Sequence, residues 1–410
     1  MDKVQWTEGE WRASGSPQCT VTVCGDWAPF RKFEQVMLGD PEAVYGDLLP
    51  TLRRADLRIV NVECAFSETG KLILKGGAEI KCPPAAAEAL KVVPFEVACL
   101  ANNHTCDCGP EGLRETIEVL RKAGIRHVGA GMCEADAVAP LTVEAGGVRL
   151  GIVNFCEGED CTGSHAGPGT FDWDVERAAA TVSRLRADVD VVFAIVHAGR
   201  EHTPLPPPYL VQAYRRIAEA GAHAVIGHHP HVPQGIEIHR GVPILYSLGN
   251  FVFYQDVPFF YRKSGYFVEF QVRRGGLAGF RLTPYLVTPE GLRLMDGKLR
   301  GWFFERLQRV SKHLDNAASV QAAWEAFIDH LGPGELPLRL SGFREMFEQD
   351  ARVGAAKLRN VFITPAHRWF WVDAATRLVQ GQYGTSPDWA RALVAEWCTL
   401  PVEDGLAMPA

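Results

Sequence analysis

The sequence has no apolar run approaching the ~20 residues that a membrane-crossing helix needs. Its longest runs, such as Val191 to Val196, are a fraction of that, so neither a span nor a membrane anchor is expected. Lysine and arginine occur in no block long enough to follow a phosphate backbone, and the formal charge is -7, so nucleic acid is not an expected partner. The 11 cysteines are odd in number, irregularly spaced and without a CxxC pair, which argues against a disulfide framework and a structural zinc site and for reduced thiols. Residues 1 to 15 carry charges and lack the apolar core of a signal peptide, and the expected location is cytoplasmic. A Gly-x-Ser-x-Gly elbow is missing, and Gly129-Ala130-Gly131 is a lone turn signal, so neither a serine hydrolase nor a nucleotide-loop enzyme is indicated. No internal repeat or low-complexity segment is visible.

What is present suits an ordinary folded protein. The 410 residues are 47% hydrophobic and 22% charged, enough for one large core with an appendage or for two domains. From about Cys19 to Pro284, short β-branched runs alternate with amphipathic stretches, the pattern of strands separated by helices in a layered α/β domain. Strands are expected at 20–24, 57–62, 97–101, 149–155, 189–196, 224–226, 244–247 and 266–272. Glu111 to Ala123, with Leu113, Ile117 and Leu120 on one face and Gly124 as a stop, predicts a helix. Asp174 to Arg186 and Pro208 to Ala220 predict two more, the second entered through Pro206, Pro207 and Pro208. The expected domain therefore spans 19–285. After about Arg300 the alternation gives way to helical character, so 300–410 is expected as a helical C-terminal extension packed on the main domain. Trp302, Trp324, Trp369, Trp371, Trp389 and Trp397 are read as its packing anchors.

Five apolar runs end in residues able to hold or activate a metal. Val23-Cys24-Gly25 leads to Asp26; Ile59-Val60 leads to Asn61 and Glu63; Ala98-Cys99-Leu100 leads to Asn102, Asn103 and His104. Ile195-Val196 ends at His197, and Val225-Ile226-Gly227 runs into His228, His229 and His231. Open α/β sheets bind ligands outside the carboxyl ends of their strands, where loops converge on a rigid frame. Carboxylate, amide oxygen and imidazole together form a set that suits Mn²⁺, Zn²⁺ or Fe better than Ca²⁺ or copper.

These motifs, namely Gly25-Asp26, Asn61-Val62-Glu63, Leu100-Ala101-Asn102-Asn103-His104, Gly109, Gly129-Ala130-Gly131, Gly227-His228-His229-Pro230-His231-Val232 and Tyr246-Ser247-Leu248-Gly249-Asn250-Phe251, together resemble the CapA family. That family is the capsule-synthesis or poly-γ-glutamate-biosynthesis branch of the calcineurin-like metallophosphoesterases, and the resemblance covers about residues 19 to 275. It implies a four-layer α/β/β/α sandwich holding two divalent metal ions. By motif, Asp26 would bind one metal, Glu63 would bridge, Asn103, His197 and His229 would hold the second, and His231 would return to the first. His104 matches the histidine that faces substrate; with Asp107 and Arg200 it makes the candidate catalytic set. Arg200, Lys75 and Gly76-Gly77 are candidates for holding an anionic group.

Four features depart from the pattern or stand beside it. The wider superfamily begins Asp-x-His, whereas this chain has Asp26-Trp27-Ala28, so the first metal lacks one imidazole. The family's His-Trp-Gly becomes His197-Ala198-Gly199, followed by Arg200-Glu201-His202. Cys106 and Cys108 flank Asp107, which leaves open a thiolate contribution or redox sensitivity, and His165 sits in a loop suited to a lid. The expected function is hydrolysis of an anionic phosphate ester or a γ-glutamyl or peptide amide by a metal-activated hydroxide. The alternatives are a non-catalytic assembly factor for polymer synthesis and a metal-dependent binding module.

Overall fold

The computed structural model describes residues 6–159 and 163–407. Residues 1–5 of the N-terminal stretch weighed as a signal peptide, and 408–410 of the expected helical extension, lie outside the described residues. Two sheets form the centre. The first has the strand order Glu10–Arg12, Gly276–Thr288, Ser264–Arg273, Cys19–Trp27, Leu57–Val62, Val97–Cys99, Arg126–Val128, with Gly291–Leu294 paired to Gly276–Thr288. The second runs Ile236–His239, Val242–Leu245, Ala224–His228, Val191–His197, Val148–Cys156, Leu141–Ala145.

The period of two explains why these runs are apolar on both faces. Along the first sheet Val21, Val23, Leu57, Ile59, Val97 and Cys99 enter one buried cluster together with Ile152, Phe193 and Ile195 of the second sheet. The alternate residues Cys24, Val60, Val62, Ala98 and Leu100 enter another cluster with Leu90, Leu113 and Leu120, which lie on helices. The first cluster is the space between the sheets, where Phe193 meets Phe270 at 4.7 Å between centroids. The helices Val175–Leu185 and Pro208–Glu219 bury Val182, Leu210 and Ile217 in that same continuous core from the far side of the second sheet. The result is an α/β/β/α sandwich.

The eight expected strands are present, extended at most ends: the first runs to Trp27 and the sixth to His228. Sequence reading did not find the 13-residue strand Gly276–Thr288, which forms a hairpin with Ser264–Arg273 across Arg274 and Gly275. It also missed Leu141–Ala145, joined to its partner by Gly146 and Gly147, both at positive φ as a two-residue hairpin turn requires. Residues 10–12 and 291–294 also join the first sheet.

Beyond Gly297 the chain is helical, and among the described residues no helix is long and apolar enough to cross a membrane. Trp302 packs edge-on to Phe260, Trp397 stacks on Tyr261 at 3.8 Å and donates to the Pro233 carbonyl, and Trp369 stacks on Tyr209. Trp324, Trp371 and Trp389 make their ring contacts within the helical segment itself, with Phe327, Phe343 and His313.

Candidate metal centre

Each strand end delivers its residues for a local reason. Between Cys24 and Asp26 the pairing with Leu57–Val62 slips by one residue, a bulge that re-aims the Asp26 carboxylate. The position opposite Gly249 must be glycine, because a Cβ on Gly25 would lie 2.3 Å from the Gly249 carbonyl oxygen. Glu63 follows its strand directly. Asn102 organises the next turn: its Oδ1 accepts from the backbone of His104 and Thr105, and its Nδ2 donates 2.8 Å to the Val62 carbonyl, tying two strand ends together. His197 and His228 are paired residues of adjacent parallel strands. His229 and His231 then adopt φ of 96° and 56°, a conformation costing ~1–3 kcal/mol each for side chains other than glycine, and one that turns both rings inward.

The side chains converge. His197 Nε2 is 2.8 Å from Asn103 Oδ1, 3.1 Å from His229 Nδ1 and 3.4 Å from Glu63 Oε1. His231 Nε2 lies 3.7 Å from Glu63 Oε1, and its Nδ1 lies 3.5 Å from Asp26 Oδ2 and 2.9 Å from Asn250 Oδ1. Asn61 Nδ2 donates 2.8 Å to Asp26 Oδ1. Ligand atoms of Glu63, His229 and His231, and those of Asp26, Glu63 and His197, fall within 4.8 Å of one another, so Glu63 belongs to both groups. All six expected metal ligands therefore meet at one buried point.

Glu63 is 0% exposed, and among the described residues neither carboxylate oxygen has a hydrogen-bond partner. Burial and then the Asp26 charge push its carboxyl well above the ordinary range. Burial would raise Asp26 too, but the close His228 and His231 imidazoles outweigh it and hold that group well below. Burial and the neighbouring imidazoles depress His197, and burial brings His229 to about 4. At His231 burial is overcome by Glu63 and Asp26, which lift it to about 10. A buried carboxylate without hydrogen-bond partners, gathered with a second carboxylate, an amide oxygen and imidazole nitrogens, is the donor set of a divalent ion, and these residues fit one.

Beside the cluster stands a buried line of three groups. His104 Nε2 is 3.9 Å from Glu63 Oε1, and its Nδ1 is 2.7 Å from Asp107 Oδ2. Lys75 Nζ donates to Asp107 Oδ1 at 2.8 Å and to the Asn103 carbonyl at 2.9 Å. Lys75 is thereby committed to holding Asp107 rather than facing solvent. Burial and the Lys75 charge lower the pKa of His104. Arg200 lies over the rings of Phe370 and Phe327, at 5.1 and 5.9 Å, with its buried Nε unpartnered. Both rings belong to the C-terminal helices.

Cys106 and Cys108 are buried, and burial raises their thiols to about 12 and about 11, so a thiolate ligand finds no support. His165 is exposed and pairs with Asp172 at 2.6 Å, away from the cluster. Sequence reasoning left His228 out of the ligand set. Its Nδ1 is 3.2 Å from Asp26 Oδ1, so an imidazole stands on the side where Ala28 supplies none. It also missed Glu159 and His367, whose only signal is spatial: His367 Nε2 is 3.1 Å from Glu159 Oε1 across 208 residues of sequence.

Comparison with known proteins agrees with the motifs. The chain is 31% identical over 202 residues to the PGA biosynthesis protein CapA of Bacillus subtilis, covering 48% of this chain and 53% of that one. It is 27% identical over 275 residues to the capsule biosynthesis protein CapA of Bacillus anthracis, covering 65% and 66%. A probable polyglutamine synthesis accessory protein of Mycobacterium tuberculosis is 30% identical over 223 residues, covering 51% and 59%. The chain thus spans between half and two thirds of the length of these relatives. Residues 20–255, more than half of the chain, match the family described as bacterial capsule synthesis protein PGA_cap, and the chain belongs to that family.

Proposed function

We propose that the chain is a metal-dependent hydrolase with two divalent ions, Mn²⁺, Zn²⁺ or Fe, acting on an anionic phosphate ester or a γ-glutamyl or peptide-type amide. One observation carries this reading: a fully buried carboxylate, Glu63, with two unpartnered oxygens, shared by two groups of potential ligands. Asp26, Asn103, His197, His229 and His231 would hold the ions around it. Bound divalent ions would supply an acidified water as nucleophile and positive charge for anionic oxygens.

The protein's own groups account for the rest. Asp107 fixes the His104 ring through Nδ1, and Lys75 fixes Asp107, so Nε2 faces the cluster, where a proton can pass to a leaving group. Arg200, with no carboxylate paired to it among the described residues, offers a charge for an anionic substrate near the seam with the C-terminal helices.

The test is turnover of an aryl phosphate and of a γ-glutamyl anilide by metal-loaded and chelator-stripped protein. Chelator-sensitive hydrolysis of either supports the proposal and selects the substrate class. A second reading, a non-catalytic assembly factor, is favoured by relatives named for biosynthesis or as an accessory protein. Full metal occupancy without turnover of either substrate would select it.

A further inference from the structure

Besides the rings under Arg200, the C-terminal helices bring a histidine toward the metal centre. Helix Pro365–Val379 begins against the sandwich: the backbone of Ala366 donates to Glu157, and Trp369 stacks on Tyr209 at 5.8 Å. The preceding helix, Ala351–Ile363, is held by Lys357 Nζ donating 2.6 Å to the Gly76 carbonyl, next to buried Lys75. Between these two fastenings His367 Nε2 meets Glu159 Oε1 at 3.1 Å. The other oxygen of that carboxylate, Oε2, is 3.4 Å from Asn103 Nδ2, and Asn103 Oδ1 is 2.8 Å from His197 Nε2.

An asparagine ligand has a problem that a carboxylate does not. Its amide can turn over, presenting an NH₂ group that cannot bind a cation in place of the oxygen. An ionised carboxylate accepts hydrogen bonds and donates none, so Glu159 can receive only the NH₂ side of Asn103. That contact, beside the 3.3 Å approach of the same Nδ2 to His104 Nε2, favours the orientation with Oδ1 toward the cluster. Glu159 is buried, and its acceptor position is fixed by His367 on its far oxygen. From this geometry we infer that His367 is a positioning residue for the metal centre: through Glu159 it keeps the Asn103 amide oxygen facing the ions, which makes the C-terminal helices part of the site. The inference rests on the metal-centre reading proposed above. Partners of metal ligands at this remove typically account for ~10–100-fold in metal affinity.

The experiment titrates Mn²⁺ into the full-length, chelator-stripped chain by calorimetry, for wild type, His367→Ala, His367→Gln and, as a control on the same helix, exposed Arg368→Ala. In His367→Ala one of two Mn²⁺ dissociation constants is expected to rise ~10–100-fold while the other stays at its wild-type value. His367→Gln, whose amide can still donate to Glu159, should restore it, and Arg368→Ala should change neither. The metal-free melting temperature of His367→Ala should match wild type. If that variant fails to fold, His367→Phe, which keeps a ring and lacks the donor, should show the same selective loss. Equal loss at both sites together with a lowered metal-free melting temperature would show a merely structural contact and overturn the inference. So would unchanged affinities in a wild type that loads two ions. A wild type that takes up none of Mn²⁺, Zn²⁺ and Fe²⁺ in the same titration would instead remove the metal-centre reading itself, and this inference with it.

Discussion

Replacing Lys75 by Met tests the line of groups behind His104. The Lys75 ammonium and the Asp107 carboxylate are both fully buried and 2.8 Å apart. Removing one member of a buried pair leaves an uncompensated charge and usually costs ~3–5 kcal/mol. Asp107 would keep the Ile80 N–H at 2.6 Å and His104 Nδ1 at 2.7 Å, which places the expected loss near the lower end, about 3 kcal/mol. Urea unfolding followed by tryptophan fluorescence and far-ultraviolet circular dichroism should show a lower midpoint with unchanged slope, provided the two probes coincide. Adding Asp107→Asn removes the orphaned charge, so the double variant should recover a substantial part of the loss, a coupling of ~2 kcal/mol. A single-variant loss below about 1 kcal/mol, or strict additivity in the double variant, would refute the claim that this pair is what anchors His104.

Glu63→Gln keeps shape and removes charge. Metal-free, it should melt above the metal-free wild type because an unpartnered buried carboxylate is gone; after metal addition, by calorimetry and elemental analysis, the order should reverse. His104→Ala should lower chelator-sensitive turnover ~10²- to 10⁴-fold with metal content unchanged, and unaltered turnover would remove its assignment as proton donor. Glu157 concerns stability. Burial raises its carboxyl to about 7 from 4.5, so the folded protein retains a proton that the unfolded chain has lost. The group therefore contributes fully below pH 4.5, and roughly 3 kcal/mol is lost as pH rises from there through 7. Glu157→Gln should flatten the stability-versus-pH curve in that window, and parallel curves would contradict the burial argument.

The sandwich was legible in sequence because its central strands are covered on both sides. Continuous apolar runs such as Val191 to Val196 are too short to cross a membrane and have no other economical fate, and their ends fell close to the expected positions. Strands away from the sheet centre were harder. Gly276–Thr288 contains Arg281 and Pro284, exposes part of one face and reads as broken alternation, yet its 13 residues pair with Ser264–Arg273 through a hairpin on one side and with Glu10–Arg12 on the other. The tryptophans divided for a related reason. An indole announces burial but not its partner, so Trp397 reaches Tyr261 of the sandwich while Trp371 reaches Phe343 of its own segment.

At the site, legibility followed sequence distance from a strand end. Asp26, Glu63, Asn103, His197, His229 and His231 each stand within a few residues of a buried run, so sheet geometry alone brings them together. Residues that orient those ligands obey no such rule. Asn250 reaches His231 from a loop after Val242–Leu245, and His367 reaches Glu159 across 208 residues from a helix whose own pattern gives no reason for a histidine at that turn. Metal ligands must converge on a point and are constrained by the strands that carry them. Their supports need only approach from whichever direction is open, and here the C-terminal helices provide it. A chain shortened to residues 20–255 would keep every candidate ligand and lose His367, so on the inference above the matched segment by itself is not the whole of the proposed metal centre.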